Sequence, residues 1–477
     1  MPRRTKIVAT LGPASDDSKI LDQMIAAGLD VVRLNFSHGT AEDHIRRAEM
    51  TRSLARARGK TVGVLADLQG PKIRIGQFEN KKIQLEHDAR FILDANCKLG
   101  NQERVGLDYK ELPNDVARGA TLLLDDGRIT MWVEEVKGAE IICKVLQGGT
   151  LSDNKGINRL GGGLSAPALT EKDIEDIKTA ATFKADYVAV SFPRCGADME
   201  TARTLLRAAG GTGLLVAKIE RAEAITALEE IIDASDAIMV ARGDLGVEVG
   251  DAAVPGLQKK MIRLARQKNK LAIIATQMME SMISSPIPTR AEVSDVANGV
   301  LDGTDAVMLS AETAAGQYPI ETIAAMDRIC TEAEKEADIT FMSQYSVQKE
   351  FTRADEAVAM SAMFTAVHID IKAIAALTQS GSTTLWMSRM NTDVPIYALT
   401  PEVETRRKLT LFRGVYPVNF KSKTSDRELL LIEAEDELRR RGAVRDGDLI
   451  LLTFGEAIGK TGGTNTMKIV RVGDHKK

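Results

Sequence analysis

A lysine and two carboxylates stand where two consecutive apolar runs give out. Leu214-Leu-Val-Ala217 leads into Lys218-Ile219-Glu220, and Ala237-Ile-Met-Val240 leads into Ala241-Arg242-Gly243-Asp244. Runs this short and this apolar read as buried parallel strands. The charged groups then sit where consecutive strands open into loops, which in a (β/α)8 barrel is the face that carries chemistry. Two carboxylates suit a hard divalent cation, and an adjacent ammonium suits charge on an anionic reacting group.

The elements that must position these groups alternate from the start of the chain. Lys6–Thr10 reads as a strand, and a helix capped by Ser15, Asp16 and Asp17 runs to Ala27, where Gly28 stops it. Val31–Ser37 is a second strand. A helix follows with Arg46, Arg47, Arg52, Arg56 and Arg58 on a solvated face, ending at Gly59, and Thr61–Leu68 is a third strand. Gly70-Pro71 breaks the rhythm. Residues 71–166 then read as β hairpins, with Asp126-Gly127 marking a tight turn between Thr121–Leu124 and Ile129–Val133. The rhythm resumes at Pro167, with strands at Tyr187–Phe192, Leu214–Ile219, Ala237–Arg242, Leu271–Thr276 and Ala306–Ser310. Three strands before the insert and five after it predict an α/β fold, a closed (β/α)8 TIM barrel rather than a doubly wound sheet. Further strands at Ala373–Leu377, Pro395–Leu399 and Asp448–Thr453 predict a C-terminal α/β domain. The expected division is a barrel of residues 1–70 and 167–344, an inserted all-β domain of 71–166 arranged as a β-barrel, and a C-terminal α/β domain of 345–477.

Composition narrows the function classes. The 477 residues are too many for one core. A net charge of −4 and a pI of about 5.9 argue against nucleic-acid binding, and 4% aromatics argue against a base-stacking platform. The cysteines Cys97, Cys143, Cys195 and Cys330 are scattered with no CxxC pair, which disfavours a zinc site or a disulfide framework and fits a reducing cytoplasm. No long apolar stretch follows Met1-Pro-Arg-Arg-Thr-Lys6, so no signal peptide is expected. No run nears the ~20 apolar residues of a membrane span.

Polar groups concentrate at the expected barrel strand ends: Thr10; Arg33, Asn35, Ser37 and His38; Asp67; Ser191; Lys218 and Glu220; Arg242 and Asp244; Thr276; Ser310 and Glu312. Any one of them could belong to an ion pair that braces the barrel. So many at one end of one layer point to an active site. Cations that can meet phosphate, with Glu220 and Asp244 able to hold Mg²⁺, are what phosphoryl transfer requires.

Six stretches in fixed order carry a closer resemblance. Arg33-Leu-Asn-Phe-Ser-His-Gly39, Asp67-Leu-Gln-Gly-Pro-Lys-Ile-Arg74, Ala217-Lys-Ile-Glu220, Val240-Ala-Arg-Gly-Asp-Leu-Gly246, Ala275-Thr-Gln-Met278 and Met308-Leu-Ser-Ala-Glu-Thr313 resemble the pyruvate kinase family. The similarity covers the whole chain, insert and C-terminal unit included. It implies phosphoryl transfer from phosphoenolpyruvate to ADP, giving pyruvate and ATP, the last step of glycolysis, with Mg²⁺ (or Mn²⁺) as cofactor. Lys218 matches the group that stabilises the transferring phosphoryl group and the enolate. Glu220 and Asp244 match the metal ligands. Gly243, Asp244 and Thr276 match contacts to the substrate carboxylate, with Thr276 also near proton delivery. Arg33 matches a phosphate clamp and Arg74 a second arginine near the nucleotide phosphates. Asn35 and His38 match nucleotide contacts, with loop bracing as the alternative for His38. Ser310 and Glu312 either relay the proton or support the eighth strand. The insert matches the family's lid, and its exit Lys155-Gly-Ile-Asn-Arg-Leu-Gly161 departs from the usual Lys-Gly-Val-Asn-Leu-Pro-Gly by Arg159 and a missing proline.

Two further departures bear on regulation and ions. The segment Thr378-Gln-Ser-Gly-Ser-Thr383, between a strand and a helix, offers hydroxyls and backbone N–H groups to a phosphate. It resembles the family's effector-phosphate loop, through Thr378, Ser380, Gly381, Ser382 and Thr383, with an N-capped turn as the plainer reading. Thr461–Thr466 resembles the neighbouring loop but lacks the Trp- and Arg-bearing sequence of the fructose-bisphosphate-responsive branch, which implies a sugar monophosphate or AMP as activator. Positions for a monovalent cation match Asn35, Ser37, Asp67 and the Leu68 carbonyl. Where K⁺-requiring members read Asp-Thr-Lys-Gly-Pro-Glu, this chain has Asp67-Leu-Gln-Gly-Pro-Lys72. Lys72 is therefore expected as an internal cation, as in the K⁺-independent branch, with K⁺ not required. The resemblance also implies a cytoplasmic homotetramer with no nucleic-acid or membrane partner. The alternatives are a Mg²⁺-enolate lyase or aldolase, against which the lid, Arg33 and Arg74 count, and a silent metabolite sensor, against which Lys218, Glu220, Asp244 and Thr276 count.

Overall fold

In the computed structural model of the chain, eight parallel strands close on themselves in sequence order. They are β1 Lys6–Thr10, β2 Val31–Asn35, β3 Gly63–Asp67, β4 Tyr187–Val190, β5 Leu214–Ile219, β6 Ala237–Ala241, β7 Leu271–Ala275 and β8 Ala306–Leu309. Closure is made by β1 on β8, from Lys6↔Ala306 to Ala9↔Leu309. The structure describes residues 2–336, 351–390, 392–424, 426–455 and 462–476. The expected boundary at 344/345 and Thr461 of the second effector loop lie outside them.

The strands are apolar on both sides because both sides are covered. Val8, Leu65, Tyr187, Val216, Met239 and Ile273 pack as the inner layer. Their neighbours Ile7, Val64, Val188, Leu215, Ile238 and Ile274 pack with the outer helices. Six strands stop one or two residues before the expected ends at Ser37, Leu68, Phe192, Arg242, Thr276 and Ser310. Arg242 already opens the helix Arg242–Val249, Ser310 opens Ala311–Ala314, and Thr276 and Gln277 take φ of 68° and 55°, a left-handed conformation no strand continues through. Arg242, Thr276 and Ser310 thus stand just beyond their strands, while Arg33, Asn35, Asp67 and Lys218 lie within theirs.

Asp17, at the N-cap of the helix Ser18–Ala27, accepts the Lys19 N–H at 2.7 Å, and Gly28 ends it at φ 122°. The helix Ala41–Ala57 departs from its expected solvated basic face. Arg47 is buried and bonds both oxygens of Asp16 at 2.7 and 2.8 Å, and Arg52 reaches the carbonyls of Phe183 and Lys184.

At the opposite, N-terminal end of the barrel a fourfold pattern appears. Asp30, Asp186, Asp236 and Asp305 each stand immediately before an even-numbered strand. Their carboxylates accept the N–H groups of Ile7, Val64, Leu215 and Ala272, in or beside the preceding odd strand, at 2.8, 2.9, 2.8 and 2.9 Å. Each meets an arginine: Arg3 at 2.9 Å, Arg52 at 3.8 Å, Arg203 at 3.1 Å, and Arg389 in a fully buried pair with Asp305. The first three arginines belong to the barrel and the fourth to the C-terminal unit.

Between β3 and β4 the chain forms a separate apolar core around Phe91, Leu93, Leu122, Met131 and Cys143. Its strands pair as a six-stranded and a two-stranded sheet. Register shifts at Thr130/Met131 and Val133/Glu135 interrupt the longest pairing, and isolated bridges such as Arg74↔Gly156 take the place of a continuous ladder. The Asp126-Gly127 turn is as expected, with Leu124 opposite Ile129 and positive φ at Asp125, Asp126 and Gly127. The C-terminal sheet has five strands, Val415–Asn419, Ile396–Thr400, Ile371–Leu377, Leu449–Gly455 and Thr464–Arg471, the last antiparallel. The first and last of these were not among the expected strands.

Candidate active site

Arg33, Asn35, Ser37, Lys72, Lys218, Glu220, Asp244 and Thr276 line one cleft of about 90 Å³ at the C-terminal end of the barrel. Lys72 and Asp244 are shared with a second cleft, of about 180 Å³, that runs under the inserted domain past Arg74. Eight of the residues singled out in the sequence therefore meet in one place.

The centre is a buried charge network. The Lys218 ammonium lies 2.9 Å from Glu220 and 3.3 Å from Asp67, and donates to the Ser191 hydroxyl at 2.7 Å. Burial works against its charge, but the two carboxylates more than offset that and hold its pKa above the ordinary lysine value. Arg33 takes the other oxygen of Asp67 at 2.6 Å and donates to Thr10 Oγ1 at 3.0 Å. Burial would push the Asp67 carboxyl up, yet Lys218 and Arg33 keep it below its ordinary value. Glu220 goes the other way: burial raises its carboxyl against the pull of Lys218, and Asp244 adds to the rise. Its second oxygen accepts the Phe192 N–H at 3.0 Å.

Glu220 and Asp244 fit a divalent cation. Their repulsion is one cause of the raised Glu220 carboxyl, and a cation between them would relieve it. Two carboxylates with open positions suit Mg²⁺, which keeps waters and takes its remaining ligands from substrate. Thr276 Oγ1 accepts the Gly243 N–H at 3.0 Å and donates to the Ala275 carbonyl at 2.6 Å, so the Gly243 N–H assigned to substrate is held here by the threonine. A left-handed threonine at this point is backbone strain of the kind that gathers at functional sites.

Other expected residues fall outside the centre. Arg242 braces the Thr276 loop, bonding the Thr276 carbonyl at 2.7 Å and Asp295 at 2.8 Å. Glu312 is buried and accepts the Ser310 and Met279 N–H groups at 2.6 and 3.2 Å, which favours a brace for β8 over a relay. His38 is exposed; partial burial with Lys72, Arg74 and Arg33 nearby lowers its pKa. Arg74 lines the cleft under the inserted domain. Lys72 keeps solvent access at the rim, its ammonium lowered by burial, supported by Asp244 and opposed by Lys218 and Arg74. The Leu68 carbonyl accepts the Ser191 hydroxyl at 2.7 Å. Ser191 thus links Lys218 to the end of β3, a role not read from the sequence, where it was one more polar strand end. Gln69, Phe192, Met239 and Met308 complete the wall without any sequence signal. Thr378, Ser380, Ser382 and Thr383 line a different cleft, of about 250 Å³, in the C-terminal unit.

A barrel that gathers this much positive charge around a two-carboxylate cation position is built to move phosphoryl groups, and the chain is a phosphotransferase. Known proteins narrow the class. The family model "Pyruvate kinase, barrel domain" matches residues 2–323, and "Pyruvate kinase, alpha/beta domain" matches 356–470. The chain is 54% identical over 476 residues to pyruvate kinase II of Salmonella typhimurium, covering 98% of this chain and 99% of that protein. It is 55% identical over 459 residues to a pyruvate kinase of Haemophilus influenzae, covering 95% and 96%. A solved pyruvate kinase of Cryptosporidium parvum superposes with a TM-score of 0.93 at 34% identity, over 98% of this chain and 96% of that one. The chain belongs to the pyruvate kinase family, whose members generally use Mg²⁺. No helix among the described residues is long and apolar enough to cross a membrane.

Proposed function

We propose that the enzyme transfers the phosphoryl group of phosphoenolpyruvate to ADP, giving pyruvate and ATP, in the cytoplasm as a homotetramer. The observation that carries this reading is the Lys218 ammonium, buried between Asp67 and Glu220 and open to the cleft that Arg33, Asp244 and Thr276 share. Arg33 clamps the phosphoryl oxygens, and Lys218 neutralises charge on the group in flight and then on the enolate oxygen. Gly243, Asp244 and Thr276 hold the substrate carboxylate. Asn35, His38 and Arg74 face the nucleotide, and the inserted domain closes over it to exclude water. Mg²⁺ on Glu220 and Asp244 would supply Lewis-acid polarisation of the substrate oxygens. Thr276 stands nearest the face where the enolate takes its proton; Ser310 and Glu312 are secondary candidates. Lys72 supplies the charge that K⁺ supplies at Asn35, Ser37, Asp67 and Leu68 elsewhere in the family. A sugar monophosphate or AMP activates from the loop of Thr378, Ser380, Gly381, Ser382 and Thr383, beside a cleft to which Lys421 adds a cation. A coupled assay of ADP-dependent pyruvate formation with Mg²⁺ tests the reaction, and absence of turnover would refute it. A thermal-shift screen of sugar phosphates and AMP tests the effector.

A further inference from the structure

A further cleft, of about 430 Å³, lies between the barrel and the C-terminal domain, apart from the clefts above. Among the described residues six cations line it and no carboxylate does: Arg52, Arg56 and Lys60 from the barrel, Arg406, Arg407 and Arg441 from the C-terminal domain. Two acids beside the cleft pair with its rim: Asp186, which caps Val64, stands 3.8 Å from Arg52, and Glu437 lies 2.7 Å from Arg441, while Glu404 accepts the Thr212 hydroxyl at 3.0 Å. Arg56 and Arg407 have no side-chain hydrogen bond or ion pair among the described residues.

The cluster is fixed in place and only partly neutralised, by Asp186 at Arg52 and Glu437 at Arg441. Carbonyls, which carry no net charge, anchor Arg52 through Phe183 and Lys184, and Arg406 through Thr400 and Pro401 at 3.0 and 2.7 Å. The Arg52 Nε is buried and has no partner. Burial lowers the pKa of Arg52, against the pull of Asp186, and that of Arg406, and the nearby Arg407 charge lowers both further. Beside the cleft the two domains pack closely, since a Cβ on Gly63 would come within 2.6 Å of Thr410 Oγ1 and 3.1 Å of the Arg407 carbonyl. Val62, Val403 and Pro417 add apolar surface between the cations.

We infer that this cleft binds an organic phosphate, with Arg52, Arg56 and Arg407 on the phosphoryl oxygens and Val62, Val403 and Pro417 against the carbon skeleton. Guanidinium forks match phosphate oxygens in pairs, and clefts of about 300–1,000 Å³ take small ligands. A confined basic pocket on a chain of net charge −4 suits a small anion rather than a nucleic-acid backbone. Since its walls come from two domains, the ligand ties them together and stabilises the docked arrangement by mass action.

The test titrates inorganic pyrophosphate, in magnesium-free buffer, into the full-length wild type, Arg56→Gln/Arg407→Gln and Ser380→Asp/Thr383→Asp by calorimetry. One binding event should weaken at least about tenfold in Arg56→Gln/Arg407→Gln and persist in Ser380→Asp/Thr383→Asp. Pyrophosphate should raise the Tm of the wild type more than that of Arg56→Gln/Arg407→Gln. Without ligand, that variant should melt no lower than the wild type, because two repelling cations have gone. If it melts early, Arg56→Gln alone, on an exposed helix position, carries the same comparison. Identical isotherms for wild type and arginine variants, loss of the event in Ser380→Asp/Thr383→Asp, or an equal response to sulfate at matched ionic strength would each overturn the assignment.

Discussion

Replacing Lys218 with Met keeps most of the side-chain volume and removes the charge. The ammonium lies 2.9 Å from Glu220 and 3.3 Å from Asp67. At an effective dielectric of about 20 each pair is worth about 5–6 kcal/mol of gross attraction, and desolvation takes much of that back. Removing one partner of a buried pair typically costs about 3–5 kcal/mol, because the other charge is left alone. Arg33 still holds Asp67 at 2.6 Å, so the loss falls mainly on Glu220 and the low end, about 3 kcal/mol, is expected. The catalytic loss is a separate quantity. A single neutral donor aimed at developing charge is worth about 10²–10³ in kcat, and a charged donor more, so kcat should fall by at least about 10³. Phosphoenolpyruvate affinity, measured by calorimetry, should change far less, because the ammonium acts mostly on charge that appears in the transition state. Lys218→Met/Glu220→Gln removes the orphaned carboxylate and should regain thermal stability without regaining pyruvate formation. If Lys218→Met loses stability yet keeps kcat within about tenfold of wild type, the lysine is a brace and the reasoning fails.

Four further outcomes follow from other residues. Asp244→Ala should weaken Mg²⁺ and phosphoenolpyruvate together; an unchanged metal dependence of the rate would remove Asp244 from the ligand set. Thr383→Asp should abolish effector activation, since a carboxylate repels phosphate from the loop, and activation at ordinary effector concentration would move the site elsewhere. The wild type should turn over with Mg²⁺ in tetramethylammonium buffer free of K⁺ and NH₄⁺, and Lys72→Glu, with or without Leu68→Thr, should become K⁺-responsive; recovery of the wild type by roughly tenfold or more on adding K⁺ (about 1.4 kcal/mol of barrier) would defeat the internal-cation idea. Burial pushes the Glu248 carboxyl up from 4.5 to about 7, where its side chain accepts the Ala222 N–H at 2.9 Å and its carbonyl the Gly161 N–H at 3.0 Å. The folded state binds more protons between those values, so this contribution to stability is full below about pH 4.5 and is lost as pH rises to about 7; Glu248→Gln should flatten the corresponding fall in Tm, and an unchanged profile would rule it out.

The barrel was legible because a parallel strand buried on both faces has to be apolar throughout, and eight such runs between helices leave few other architectures. The site was legible for the same reason, since charge at the end of such a run stands out. Strand ends were less so. Thr276 and Gln277 turn left-handed although threonine favours strands, and only the tertiary setting decides that. Arg242 and Glu312 looked like chemistry and are bonded to backbone groups, Arg242 also to Asp295, a difference that residue type alone does not carry. Arg47 and Arg52 looked solvated because the acid or carbonyl each one meets lies far along the chain. One readable signal went unused. An aspartate directly before Val31, Tyr187, Ala237 and Ala306 recurs at every second strand, and its period is visible without any coordinates.

That recurrence explains how the C-terminal domain attaches to the barrel. In each unit an aspartate caps an N–H of the preceding odd strand, so its carboxylate must be taken out of water and must find a cation. For Asp30, Asp186 and Asp236 the barrel provides its own arginine. For Asp305 the cation is Arg389, which follows the helix Ser382–Ser388, and both side chains are fully buried. Arg389 also donates to the Lys270 carbonyl at 2.6 Å, while Arg413 donates to Thr5 Oγ1 and the Thr304 carbonyl at 3.0 and 2.8 Å. Losing Arg389 alone would leave Asp305, between β7 and β8, an unpaired carboxylate still buried beneath the C-terminal domain, at a cost of about 3–5 kcal/mol. Those two strands lead directly into Thr276 and Ser310. The C-terminal domain therefore completes the charge pairing of the barrel at one end of the strands whose other end carries the site.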